Sequence, residues 1–383
     1  MIDARKRADP NAFLEGLAHE LRAAGVDVAR ITTGVPILHP QIFSFSGLWE
    51  LGKGTTERLY RSSPGFAATM SNSPIRIAYE GGGPVRCDLT APPVESEFAI
   101  LDELRRDGFT DYIVYAVPFA DGSHKALSFA TRRSSGFDGG ELALFESMIP
   151  AVAFNLEVQA QRRTARTLLD TYVGQQSGGR VLEGQIKRGT GETIRAVIWL
   201  CDLRGFTSLS ETLPRDTLID LLNAYFGPMC DAVTGHGGEV LKFIGDAMLA
   251  IFPIGADAAR TCAAALVAAE HAGAALVGEN ARRDAAGLPR IDYGLALHIG
   301  EVMYGNIGSD TRLDFTVIGP AVNLTARIES LCRQLGRQLL LSSDFVRTGR
   351  IDAQSLGAFS LKGVGADQEI FVPRSTPAVS PPA

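Results

Sequence analysis

The sequence predicts an α+β protein built as two domains. Three observations lead there. The chain has 383 residues, which at roughly 100–200 residues per domain fits two or three domains. Hydrophobic residues make up 45% and charged residues 21%, the mix of a globular chain with a sizeable core. That excludes a disordered, collagenous or disulfide-scaffold chain. Strand-like and helix-like stretches alternate in two textures, separated by a Gly-rich stretch at 174–192.

Residues 1–155 form the first zone. FLEGLAHELRAAG (13–25) and FAILDELRRDG (98–108) carry apolar residues at helical spacing. YIVYAVPF (112–119) and HKALSFAT (124–131) read as strands joined by a tight turn at Asp121–Gly122. Helices beside an antiparallel sheet make a small α+β domain. This element order resembles the GAF/PAS class of sensory modules, which implies a sensory or regulatory domain with an unidentified small-molecule or protein input. His19, His39 and Cys87 form no ligand cluster and read as structural.

Residues 156–192 read as a helical linker and Gly-rich hinge. The stretch 141–173 is helical, with Pro150 marking a kink or a break between two helices. Val158, Ala165 and Tyr172 fall at heptad spacing with Leu168 between them, a pattern that suits a coiled coil or an amphipathic helix on its own domain.

Residues 193–372 are a continuous pattern of strands and helices. TIRAVIWLCD (193–202) is a buried strand, and PRDTLIDLLNAYFGPMCDAVTGHGG (214–238) is a helix with Pro at its start and glycines past its end. EVLKFIGDAMLAIF (239–252) is a hairpin turning at Gly245–Asp246. An Ala-rich helix around 262–278 follows, then strands 291–302 and 313–319, then a helix at 320–336. The order βαββαβ with extensions is a ferredoxin-like arrangement. The remaining segment, 373–383, is Pro- and Ser-rich and reads as a disordered tail.

The net charge of −6 argues against a nucleic-acid-binding surface. The five cysteines, Cys87, Cys201, Cys230, Cys262 and Cys332, are scattered without metal-ligand spacing and read as reduced thiols. No apolar segment follows the charged N-terminus, and the Ala-rich stretch is interrupted by Glu270 and His271. The expectation is a cytoplasmic chain without a membrane span.

Single residues of the second domain have ordinary explanations. Asp202 could be a cap, Asp246 a turn residue, Lys242 a solvated strand residue, Asn323 and Arg327 a surface pair one helical turn apart. Together they suggest more. A buried strand delivers Asp202 to its end, beside a turn that opens a short helix at 206–210, where the amides of Phe206 and Thr207 can face phosphate oxygens. The hairpin brings Asp246 to a neighbouring sheet end. Two carboxylates with no Cys or clustered His suit Mg²⁺ or Mn²⁺, and two such ions about 4 Å apart form a clamp for in-line displacement at phosphorus.

WLCDLRGFTSLSE (199–211), LKFIGDAMLAIF (241–252) and FTVIGPAVNLTARIE (315–329) resemble the class III nucleotidyl cyclases, the adenylate/guanylate cyclase catalytic domain. The resemblance covers 193–372. It implies that Asp202 and Asp246 bind two metal ions with the backbone carbonyl of Leu203, and that Lys242 and Thr316 read the purine. It further implies that Asn323 positions the ribose and Arg327 stabilises charge on the attacked α-phosphate. Arg312 and Lys362 are additional triphosphate contacts by a looser match. In that family the sites form between two subunits, so a homodimer is implied.

The base-reading pair implies ATP as substrate. Adenine offers an acceptor at N1 and a donor at its amino group, which a Lys and a hydroxyl complement, whereas guanine needs the opposite polarity. The sequence thus predicts an adenylate cyclase making cyclic AMP and pyrophosphate. A guanylate cyclase and a catalytically silent, dimeric cyclase-like scaffold are the alternatives. All six of the positions expected in an active member are present, which disfavours the silent scaffold.

Overall fold

The computed structural model describes residues 10–36, 42–61, 72–92, 98–187 and 189–374. His39 and the tail beyond Arg374 lie outside them. The chain folds as two compact units that divide between Leu168 and Leu169.

The first unit holds a six-stranded antiparallel sheet in the order β3-β2-β1-β6-β5-β4. Its strands are β1 (Arg30–Pro36), β2 (Ile42–Glu50), β3 (Gly54–Arg61), β4 (Val85–Asp88), β5 (Asp111–Pro118) and β6 (His124–Thr131). Helix α1 (Pro10–Ala23) buries Phe13, Leu14, Leu17, Ala18 and Leu21, one face at helical spacing. Two short helices, α2 (Pro74–Tyr79) and α3 (Ala99–Arg106), interrupt the strands. The two strands read from sequence, β5 and β6, pair in antiparallel register from Asp111↔Thr131 to Pro118↔His124.

Helix α4 (Gly139–Tyr172) starts on an aromatic cluster. Phe145 stacks on Phe129 with ring centroids 4.0 Å apart, and Phe137 meets it edge-on at 5.1 Å. The helix runs through Pro150 without a break, so of the kink or break read from sequence the break does not occur. Pro150 and Glu146, whose carbonyl loses its helical partner, both lie on the exposed side, where solvent reaches that carbonyl.

The second unit takes in the last turn of α4, from Leu169, and continues with helix α5 (Gln175–Leu182). Its sheet has eight strands in the order β13-β14-β12-β10-β7-β9-β8, with β11 pairing β10 off that path. They are β7 (Gly191–Leu203), β8 (Glu239–Ile244), β9 (Ala247–Pro253), β10 (Tyr293–Gly308), β11 (Leu313–Ile318), β12 (Leu339–Ser342), β13 (Ala353–Phe359) and β14 (Gln368–Pro373). The intervening helices are α6 (Phe206–Thr212), α7 (Arg215–Gly235), α8 (Ala258–Ala285), α9 (Pro320–Leu335) and α10 (Ser343–Gly349).

Strand β7 is central because both its faces are apolar. Val197, Trp199, Cys201 and Leu203 pack with α7 and α8, while Ala196 and Ile198 join Val302, Tyr304, Phe315 and Ala321 on the other face. Helix α8 is longer than the stretch read from sequence. It has 28 residues and, over 18 of them, a mean hydropathy of 1.4, so by length and composition alone it could cross a membrane. Here Cys262, Ala265, Ala268, Ala269, Ala272 and Leu276 face the core.

One buried titratable group stabilises the far side of this sheet. His298 in β10 places Nδ1 2.8 Å from the Ser342 hydroxyl, which also accepts the N–H of Phe345 and so caps α10. Burial pushes the imidazole down to about 4 against the opposing pull of Asp344, so His298 is neutral at physiological pH.

Candidate active site

Asp202 is the last residue but one of β7, opposite Ala247 in β9 and Gly294 in β10. Asp246 precedes Ala247 in the β8–β9 turn, where Gly245 has a φ of 66°, a conformation that glycine adopts without steric cost. The register therefore sets the two carboxyls side by side. Burial, then the adjoining Asp246 carboxyl, raises the Asp202 pKa to about 6, against the lowering effect of the Leu203 N–H. Asp202 Oδ1 is buried with no hydrogen-bond partner among the described residues. Paired carboxylates with an orphaned oxygen are the donor set of a hard divalent cation. No group of three or more His, Cys, Asp or Glu side chains surrounds one point among the described residues. Remaining ligands would be backbone, water or substrate oxygens.

After Leu203 the chain turns through Gly205, at φ 73°, into α6. Phe206 is half-buried against the core and Thr207 is exposed.

Lys242 lies in β8, ahead of that same turn. Its ammonium is 2.6 Å from a carboxylate oxygen of Asp314 in β11. Thr316 is two residues further along β11, on the face shared with Asp314 and opposite to Phe315 and Val317, which enter the core. Thr316 is 4% exposed, and its hydroxyl has no partner among the described residues. A buried hydroxyl without a partner is uncommon in a folded core, and Thr316 shares its strand with the carboxylate that holds Lys242.

Asn323 and Arg327 are exposed and one turn apart on α9, whose opposite side buries Thr325 and Ile328. The helix starts cleanly because Pro320 occupies its first turn after Gly319. Arg312 is exposed in the β10–β11 turn, where its carbonyl accepts the Ser309 N–H at 2.8 Å. Lys362 is exposed in the connection between β13 and β14.

Within one chain the sequence-read residues thus fall into three groups: the aspartate pair, Lys242 with Thr316, and Asn323 with Arg327. No hydrogen bond or ion pair joins one group to another among the described residues.

Two further carboxylates belong to this region. Asp314 holds Lys242, and period-2 alternation from Thr316 was the signal for it. Glu329 on α9 packs over Gly294, where a Cβ would collide with its Oε1. Burial first, then Asp202 and Asp246, raise the Glu329 pKa to about 7. Only the register of β7 with β10 reveals that neighbour.

Residues 192–372 match the family described as the adenylate and guanylate cyclase catalytic domain. An adenylate cyclase of Anabaena cylindrica is 40% identical over 166 residues, covering 42% of this chain and 32% of that protein. An uncharacterised protein of Mycobacterium tuberculosis is 33% identical over 213 residues, covering 55% of this chain and 35% of that one. The chain thus spans about a third of the length of these curated relatives. The structure of a bacterial light-regulated adenylyl cyclase has a TM-score of 0.50 at 20% identity, covering 71% of this chain and 87% of that one, a likeness of fold. With the paired aspartates at the ends of adjoining strands, these matches make residues 192–372 an adenylate/guanylate cyclase catalytic domain.

Proposed function

We propose that the chain is an adenylate cyclase that converts ATP to 3′,5′-cyclic AMP and pyrophosphate. The observation that carries the choice of purine is the unmatched Thr316 hydroxyl on the strand that also holds Lys242 through Asp314. The ammonium donates to adenine N1, and the hydroxyl accepts from the 6-amino group. Guanine would set N1–H against the ammonium and leave the buried groups unsatisfied, a cost of about 1–3 kcal/mol each.

Asp202 and Asp246, with the Leu203 carbonyl, would hold Mg²⁺ or Mn²⁺, two per site. Such ions lower the pKa of a bound hydroxyl and neutralise phosphate charge. Asn323 orients the ribose so that its 3′-oxygen lies in line with the α-phosphorus, the positioning that dominates phosphoryl chemistry. Arg327 offers a planar fork to the α-phosphate oxygens, which a Lys would imitate poorly. Arg312, Lys362 and the amides of Phe206 and Thr207 face the leaving pyrophosphate.

The three groups of residues complete one another across a homodimer, the aspartates from one chain and the remainder from its partner. The strand order β10-β7-β9-β8 supports a ferredoxin-like core. The antiparallel sheet and flanking helices of the first unit support a GAF/PAS-like module that supplies the input.

Exchanging the base-reading pair tests the assignment. Lys242→Glu with Thr316→Cys should lower kcat/KM for ATP by on the order of a hundredfold, because a carboxylate then faces the N1 acceptor. GTP use should rise weakly. A wild type that prefers GTP, or an ATP:GTP ratio unmoved by the double change, contradicts the adenylate reading.

A further inference from the structure

The Gly-rich stretch after α4 reads as slack in the sequence, yet the structure docks it tightly. Gly174, at φ 96°, leaves only 3.1 Å between a would-be Cβ and the Val240 carbonyl oxygen, and a Cβ on Gly178 would stand 3.0 Å from the Leu169 backbone. These glycines serve close approach. They seat α5 so that Ser177 is fully buried, and its amide and hydroxyl both donate to Glu239 Oε1, at 2.8 and 2.6 Å.

Glu239 is itself 4% exposed, and its other oxygen accepts the Tyr304 hydroxyl at 2.7 Å. The Ser177 and Tyr304 hydroxyls are 3.1 Å apart. Arg180 of α5 lies over the Tyr304 ring, 4.7 Å from its centroid, and pairs with Glu192 of β7 at 2.5 Å. Three donors meet this deep carboxylate, the Ser177 amide, the Ser177 hydroxyl and the Tyr304 hydroxyl, and they offset its burial.

The network joins the elements that read the base. Glu239 heads β8, three residues before Lys242. Tyr304 in β10 pairs with Val317 of β11, and its ring meets Phe315 edge-on at 4.8 Å. Phe315 lies between Asp314 and Thr316. One buried carboxylate on β8 therefore ties α5 to Tyr304, which in turn packs and pairs with β11.

We propose that Ser177, Glu239 and Tyr304 form a positioning latch that fixes the spacing of β8 and β11, so that the seating of α5 sets how Lys242 and Thr316 meet the base. None of the three touches substrate. The proposal rests on the base-reading roles assigned above, and its test separates the two.

Ser177→Ala and Tyr304→Phe each delete one hydroxyl and leave the volume nearly unchanged. Each should raise KM for ATP about fivefold, the worth of one buried hydrogen bond, with kcat changed less than about twofold. The ATP:GTP ratio should narrow in both, and Glu239→Gln should be milder than Glu239→Ala. Amide hydrogen exchange of the same variants should quicken in 239–244 and 313–318 and stay unchanged in 197–203. Variants that lose thermal stability but keep the wild-type KM, purine ratio and exchange of both strands overturn the latch. Quickened exchange of both strands in a protein without cyclase turnover keeps the latch and removes the cyclase reading.

Discussion

Asp202→Asn should lower ATP turnover by on the order of a hundredfold or more and, in the same protein, raise the melting temperature of the metal-free form at pH 7. The two effects share one cause. Burial and the Asp246 carboxyl raise the Asp202 pKa from 3.8 to about 6 in the folded state. A carboxylate with a raised folded pKa binds more protons folded than unfolded, so its ionisation costs stability as pH rises from about 4 to about 6. The cost is fully present above that window and absent below it. Asn carries no charge, so the variant's advantage should open across the window and reach about 1 kcal/mol, or ~2–4 °C, after solvent screening of a partly buried group. Added Mg²⁺ or Mn²⁺ should raise the melting temperature of the wild type and leave the variant unmoved. Thermal melts with and without metal from pH 4 to 8 check this. A variant less stable than the wild type at pH 7, or one that cycles ATP normally, contradicts the metal assignment.

Mixing two inactive variants should restore activity. Asp202→Ala and Arg327→Ala damage opposite halves of the proposed shared site, so a heterodimer of the two holds one site with both lesions and one with none. In a statistical mixture half the dimers are mixed, so about a quarter of wild-type turnover returns. Subunit exchange is verified by differently tagged chains. No recovery despite exchange would place all the site residues in a single chain.

The catalytic half of the fold was legible because its signals are local. TIRAVIWLCD is apolar on both faces, as a central strand must be, and Gly245 marks the hairpin turn. The aspartate pair was legible because a strand end and a turn place their residues without reference to distant packing. The rest depends on register. Asp314 meets Lys242 across 72 residues, and Glu329 reaches the aspartates only through the pairing of Gly294 with Asp202. Period-2 alternation sets Asp314 on the face of Thr316, but no local period shows that Lys242 or the aspartate pair is the partner.

The first unit was less legible for a different reason. Two of its six strands, β5 and β6, are apolar enough to read as strands. RITTGVP and IFSFSGLWE mix Thr, Ser and Gly among the apolar positions, so sheet pairing decides their conformation. The stretch at 174–182 misled because glycine serves flexibility and close approach alike. Pro150 does not break the helix because a solvent-facing carbonyl tolerates the lost bond.

The proposed activity is cyclisation of a nucleoside triphosphate, with ATP preferred. The most direct measurement incubates the purified chain with ATP and with GTP, each with Mg²⁺ and with Mn²⁺, and resolves the products chromatographically. The expected result is 3′,5′-cyclic AMP and pyrophosphate in equal amounts, with a higher kcat/KM for ATP than for GTP. Release of inorganic phosphate without a cyclic product, or cyclic GMP formed in preference to cyclic AMP, would contradict it.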